Sequence, residues 1–168
     1  MATLREDEMI WGQKVIQKQE DAPRGYFDKL AEEGAPGSLT KNGVRTVKTQ
    51  HRMKEIRLIH PEAGFEKCGL NMGIITFLPN GSGPLHRHNC YELFYVLSGR
   101  GKLVIEGKEF FAEKGDAISI PPNSIHRSIN LGEEAFSLLY VVSPPLIANL
   151  DYLEDAKKYG YMTVLEED

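Results

Sequence analysis

From Val44 to Val142 the chain is a succession of short β-type runs cut apart by turn residues, and no stretch between them repeats with a helical period. The runs are VRTVKT, EIRLI, MGIITFL, YELFYVL, GKLVIEG, KEFFA, AISI, HRSINL and FSLLYVV. Short segments rich in Val, Ile, Phe, Tyr and Thr, bounded by Gly, Pro, Asn or Asp, have the pattern of half-buried strands. LPNGSGP, EKGD and PPNS supply turns, and VIEGKEF reads as a tight hairpin around Gly107. Without helical crossovers there are no βα units, so the strands pair antiparallel as a sandwich, jelly roll or barrel.

The flanks have a different texture. Residues 1–43 read as an arm that packs on the core or on a neighbouring subunit; it holds a helix-like patch, Tyr26–Glu33, bracketed by Pro23 and by Gly34, Pro36 and Gly37. Residues 44–145 are the expected barrel and 146–168 a helical tail. In that tail NLDYLEDAKKYG, residues 149–160, sets Leu150, Leu153, Ala156 and Lys157 at helical spacing, with acids early and lysines late. A length of 168 residues, 41% of them hydrophobic, suits one domain.

The net charge of −4 and the scattered basic residues give no footprint for nucleic acid, and the apolar runs are too short for a membrane helix. The charged start, MATLREDEMI, does not read as a secretory signal, and two cysteines do not make a disulfide framework, so a cytoplasmic setting is expected. Both flanks look for something to pack on, sheet edges are commonly covered, and a homodimer is the expected assembly.

His86 and His88 are one residue apart, so on a strand both imidazoles share a face. Glu92, four residues on, keeps the same parity and adds an anionic oxygen. A lone His-x-His is as ordinary as a solvated strand face, and Glu92 improves the case for a metal without deciding it. In GDAISIPPNSIHRSIN, residues 115–130, a glycine turn leads to a strand, two prolines, His126 and Asn130. By itself His126 is an ordinary barrel histidine.

Together the two stretches resemble the paired motifs of the cupin superfamily. His86, His88, Glu92 and Gly99 match the first motif; Gly115, Pro121, His126 and Asn130 match the second, with the short spacer of compact microbial members. Two positions depart. Asn80 and Asn123 stand where glycines are expected, both at turns that need a positive φ, which Asn tolerates. The resemblance spans about residues 70–142. It implies an all-β double-stranded β-helix, a jelly-roll barrel with the N-terminal arm and C-terminal helix appended, and one divalent metal held by His86, His88, Glu92 and His126. Imidazole and carboxylate suit Fe, Mn, Ni, Co or Zn, and four such ligands leave positions open on a six-coordinate ion.

Around these residues, Ser128 and Asn130 share the parity of His126 and are expected to line the cavity. Phe94 and Val96 share that of Glu92, as apolar wall or, preferably, plain core. Cys90 is a neighbour of the metal or, more commonly, an inert buried thiol. Arg57, alternating against Ile56 and Leu58, is expected outside the core, with a carboxylate clamp as its minor reading; His51 and His60 are expected at the surface. Tyr91, Tyr95 and Tyr140 are available for proton transfer, but nothing aims any of them, so no catalytic residue is assigned.

The function expected is a metal-dependent enzyme acting on a small molecule, with non-haem dioxygenase chemistry preferred. Decarboxylase, isomerase or lyase chemistry and a non-catalytic metal- or ligand-binding module are the alternatives. A metal-free epimerase-like cupin, with His126 as base, has less need of all four ligand residues.

Overall fold

The computed structural model describes residues 9–10, 13–14, 16–23, 36–40, 43–46, 52–144 and 162–164, and strands dominate them. Two short hairpins come first: β1 (Met9–Ile10) with β2 (Gln13–Lys14), and β3 (Pro36–Thr40) with β4 (Gly43–Thr46). The barrel strands are β5 (Met53–Ile59), β6 (Asn71–Phe77), β7 (His86–His88), β8 (Tyr91–Ser98) and β9 (Arg100–Ile105). They continue with β10 (Lys108–Glu113), β11 (Ala117–Ile120), β12 (His126–Asn130), β13 (Phe136–Ser143) and β14 (Met162–Val164).

Two five-stranded antiparallel sheets result, in the orders β10-β9-β12-β7-β14 and β11-β8-β13-β6-β5. The chain steps repeatedly from one sheet to the other, which makes a jelly roll rather than a meander. The turns carry the expected chemistry. Glu106 and Gly107 both have positive φ, 50° and 75°, and join β9 to β10. Asn80 and Asn123 sit at φ 62° and 65°, the left-handed region in which Asn replaces Gly at least cost.

Alternation on the strands builds the interior. Phe136, Leu138, Tyr140 and Val142 of β13 point inward beside Glu92, Phe94 and Val96 of β8, and Leu103 and Ile120 complete the filling. At one end Phe77 and Phe136 stack with centroids 6.1 Å apart. Gly101 lies under the Phe136 ring, and a Cβ there would overlap it. Along β13 the interior turns from apolar at Phe136 to polar near Val142, whose cross-strand partners are Asn71 and Glu92.

The flanking segments depart in part from the sequence reading. The expected helices at Tyr26–Glu33 and residues 149–160 lie outside the described residues. Within the tail, Met162–Val164 form β14, an edge strand paired with β7. The β3–β4 hairpin straddles the arm–barrel boundary expected at residue 43. The described part of the arm meets the barrel: Arg57 donates its backbone N–H to Pro23 at 2.9 Å, and Lys14 Nζ donates to the Ala63 carbonyl at 3.0 Å.

Asn130 ties the sheets to the loop that follows it. Its Nδ2 donates to the carbonyls of Phe77 and Glu134 at 2.9 and 2.8 Å, and its Oδ1 accepts from the Gly132 N–H at 2.8 Å. Asn130→Ala removes all three bonds from a buried position. It is expected to cost about 2–4 kcal/mol, read as a lower urea midpoint with an unchanged slope.

Candidate metal centre

His86 and His126 face each other directly across the β7–β12 ladder, with ring centroids 4.2 Å apart. His88 follows on the same face of β7, and Glu92 arrives from β8 in the opposite sheet. One donor atom from each of the four lies within 4.8 Å of the other three. Glu92 Oε2 stands 3.0 Å from His88 Nε2 and 3.1 Å from His126 Nε2. That spacing matches the edge of an octahedron built on bonds of about 2.1 Å, roughly 3 Å.

Backbone carbonyls decide which ring nitrogens face inward. Nδ1 of His86 lies 2.8 Å from the Pro84 carbonyl, Nδ1 of His88 lies 3.0 Å from that of Cys90, and Nδ1 of His126 lies 2.8 Å from that of Ser124. A carbonyl only accepts, so each Nδ1 carries hydrogen and donates it. Each neutral ring therefore presents its Nε2 lone pair to the centre. Three lone pairs and a carboxylate converging on one point repel unless a cation or protons lie among them, and this donor set fits a divalent ion.

In the absence of an ion, protons serve. Burial by itself lowers the pKa of His88, but hydrogen bonds to Cys90 and Glu92 and the Glu92 charge raise it from 6.5 to about 10. Burial would raise Glu92, yet hydrogen bonds from His126 and His88 and their charges hold it well below the carboxylate range. Burial, with the charges of His126 and His88, keeps His86 well below its usual value.

The cluster opens into a cavity of about 70 Å³, walled on its apolar side by Met53, Ile75, Phe77, Phe94 and Val142. By the measure in which one water needs about 15 Å³, it holds a few waters or a small ligand. On the polar side stand Glu55, Arg57, His60, Asn71 and Tyr140. Tyr140 Oη donates to Glu55 Oε1 at 2.9 Å, and Arg57 Nε lies 3.5 Å from the same oxygen.

Residues 73–142 match the family model described as Cupin domain. The barrel is a cupin domain. Auxin-binding protein 1 of Arabidopsis thaliana is 38% identical over 147 residues, covering 82% of this chain and 63% of that protein. Gentisate 1,2-dioxygenase of a Haloferax species is 32% identical over 78 residues, covering 45% of this chain and 22% of that protein. Among solved structures, the salicylate 1,2-dioxygenase of Pseudoaminobacter salicylatoxidans superposes with a TM-score of 0.56 at 16% identity, covering 73% of this chain and 34% of that one. That likeness is one of fold. The chain spans less than two thirds of the length of the first curated relatives it matches, 63% and 58% for two of them.

The cupin frame brings His86, His88, Glu92 and His126 together and sets Ser128 and Phe94 on the cavity wall. Asn130 is placed elsewhere, its amide spent on the loop after β12. Cys90 is buried, with Sγ 3.3 Å from His88 Nδ1. Two expectations are corrected. Arg57 is 3% exposed and points inward, while Ile56 and Leu58 are its half-buried outer neighbours. His60 is buried too, because a bulge between Arg57 and Ile59 inserts one residue and reverses the alternation. His51 lies outside the described residues. Of the three tyrosines, Tyr91 and Tyr95 face outward and Tyr140 faces the cavity. Glu55, Asn71 and Gly73 were not singled out; for Glu55 the one trace in the sequence is the parity it shares with Arg57 on β5, and Asn71 and Gly73 on β6 leave none.

In the ion-free protein His88 stays protonated below about 10, so a cation taking its Nε2 must displace that proton. Loading a divalent ion at pH 7 is expected to acidify a weakly buffered solution by about one proton per ion, and apparent affinity falls as pH falls. A pH-stat titration measures both; no proton release would remove His88 Nε2 from the ligand set.

Proposed function

We propose that His86, His88, Glu92 and His126 hold one divalent metal ion, and that this cupin is an enzyme acting on a small organic acid beside it, with non-haem dioxygenase-type chemistry. The observation that carries the reading is the convergence of three carbonyl-oriented Nε2 atoms and one carboxylate oxygen within 4.8 Å. Such a set suits iron(II), manganese, cobalt, nickel or zinc, and four protein ligands leave coordination positions for a substrate oxygen. When bound, the ion supplies Lewis acidity towards that oxygen and, if it is iron, redox chemistry with dioxygen.

The chain's own groups do the rest. The carbonyls of Pro84, Cys90 and Ser124 keep the imidazoles in the ligating tautomer. Met53, Ile75, Phe77, Phe94 and Val142 line the cavity with apolar surface, and the lower polarity beside them strengthens each polar contact there. Tyr140, through its hydroxyl, is a cavity-facing group able to hold or pass a proton, beside Glu55 and His60 on the same wall. Decarboxylase, isomerase or lyase chemistry would use the same ion without oxygen. The name gentisate 1,2-dioxygenase, borne by a relative 32% identical over 78 residues, supports the oxygenase choice. A ligand-binding module without turnover is the second reading, favoured by 38% identity to a relative named for binding auxin.

Elemental analysis is expected to give one ion per chain, and Glu92→Ala and His126→Ala each to lower the content at least tenfold. An oxygen electrode with iron-loaded protein and a panel containing gentisate, salicylate and small aliphatic acids is expected to show uptake matched to substrate loss. Metal without turnover on any of them transfers the assignment to the binding module, and full metal content in both variants overturns the site.

A homodimer belongs to the same proposal. Tyr91, Leu93, Tyr95 and Leu97 project from the outer face of β8 as one exposed apolar stripe, which a second copy would cover. Light scattering should give twice the 18.9 kDa chain mass, and Leu93→Lys should shift it towards the monomer.

A further inference from the structure

Glu55 and Tyr140 meet inside the barrel across an intervening strand. Glu55 is buried on the inward face of β5 and Tyr140 on that of β13. β6 lies between these two strands and sets Gly73 as the register partner of Tyr140. A Cβ on Gly73 would overlap the Tyr140 hydroxyl; the missing side chain lets the phenol cross β6 to reach β5.

The contact has a direction. Tyr140 Oη donates its single hydrogen to Glu55 Oε1 at 2.9 Å. A phenol has one O–H and a carboxylate has none, so the bond runs only from tyrosine to glutamate. Hydrogen bonds to a carboxylate are roughly twice as strong as neutral ones, and burial adds a penalty for leaving the acceptor without its donor. Burial and the Glu55 charge push the Tyr140 phenol well above its usual pKa, so the proton stays on Oη. Both residues line the cavity, and towards it the phenol oxygen has a lone pair to offer but no hydrogen.

We propose that Tyr140, its hydrogen held by Glu55, is a one-way acceptor that takes the O–H of the substrate and so selects hydroxy acids over oxo acids and others lacking that hydrogen. This rests on the reading of the cavity as the site of a small organic acid beside the metal, and narrows the class of acid. An oxo group or a fluorine in place of the hydroxyl sets a lone pair against that of Oη. No turn of the phenol relieves the conflict without unbonding Glu55. Matching of this kind discriminates more sharply than pocket size, because the wrong ligand leaves buried polar groups unpaired.

The test pairs lactate with pyruvate, 2-hydroxybutanoate with 2-oxobutanoate, and 3-hydroxybenzoate with 3-fluorobenzoate. Both members of a pair carry the same carboxylate, so the charge of the cavity cancels in the comparison. Affinities are read by calorimetry on manganese-loaded protein, with ion content and melting temperature recorded for every variant. The hydroxy member of at least one pair is expected to bind about tenfold more tightly, or better. Tyr140→Phe should cut that preference to roughly twofold or less by weakening the hydroxy acid, with ion content unchanged. Glu55→Gln gives the phenol a weaker acceptor and frees its hydrogen to turn, and should strengthen the oxo or fluoro member by about threefold or more. A merely structural part for either residue would weaken both members alike. Ser128, which lines the cavity from β12 in the opposite sheet, supplies the comparison: Ser128→Ala should leave the ratio intact, whatever it does to each affinity.

A preference that survives Tyr140→Phe at full strength, or that disappears in Ser128→Ala, overturns the proposal. So does wild-type protein that binds both members of every pair equally, or neither. If Tyr140→Phe does not fold, Glu55→Gln decides by itself, and an unchanged ratio there overturns the proposal. Wild-type protein that takes up no ion defeats the metal-dependent reading instead, and the same pairs on ion-free protein then judge Tyr140 alone.

Discussion

Three backbone carbonyls, those of Pro84, Cys90 and Ser124, take the Nδ1 protons of His86, His88 and His126, and the chemistry of the barrel depends on that arrangement. An imidazole left to itself chooses between two tautomers and two ring orientations. Here each ring is anchored by a carbonyl two residues away in its own chain, so the local backbone path decides which nitrogen looks inward. The strands then need only bring three such rings to one point. The β7–β12 ladder does this for His86 and His126, and β8 in the opposite sheet supplies Glu92.

The same interior serves two opposed ends. Around Phe136 it is a plain apolar core, where Gly101 gives up its side chain so that an aromatic ring can lie flat. Towards Val142 it holds a carboxylate, the imidazoles of His86, His88 and His126 and, across the cavity, His60 with an Arg–Glu–Tyr group. Burying so many polar groups is costly unless they are bonded to one another. The apolar end and the ladders of both sheets carry the fold, and at the polar end the buried groups are bonded to one another.

Much of this was legible in a linear reading because it is local. Antiparallel pairing followed from short strands without helical crossovers, and the shared face of His86 and His88 followed from a two-residue spacing. The positive φ at Asn80 and Asn123 followed from turn chemistry. The meeting of His126 with the others did not follow from spacing; the cupin resemblance supplied it, since nothing local ties residue 126 to residue 86. Arg57 was misplaced because alternation separates the two faces of a strand without saying which is inside. His60 was expected at the surface because it lies outside both motifs, and its burial depends on the inward face of β5 and a bulge after Arg57, neither of which is local to it.

By itself, then, the sequence determined an all-β chain, its turns, and which side chains share a face of each strand, because these depend on neighbours a few residues apart. Only the tertiary structure decided that β5 turns its charged face inward, that Tyr140 rather than Tyr91 or Tyr95 meets the cavity, and that Glu55, Arg57 and Asn71 stand opposite the histidines. Those are choices of register and bulge, set by the pairing of strands far apart in the chain.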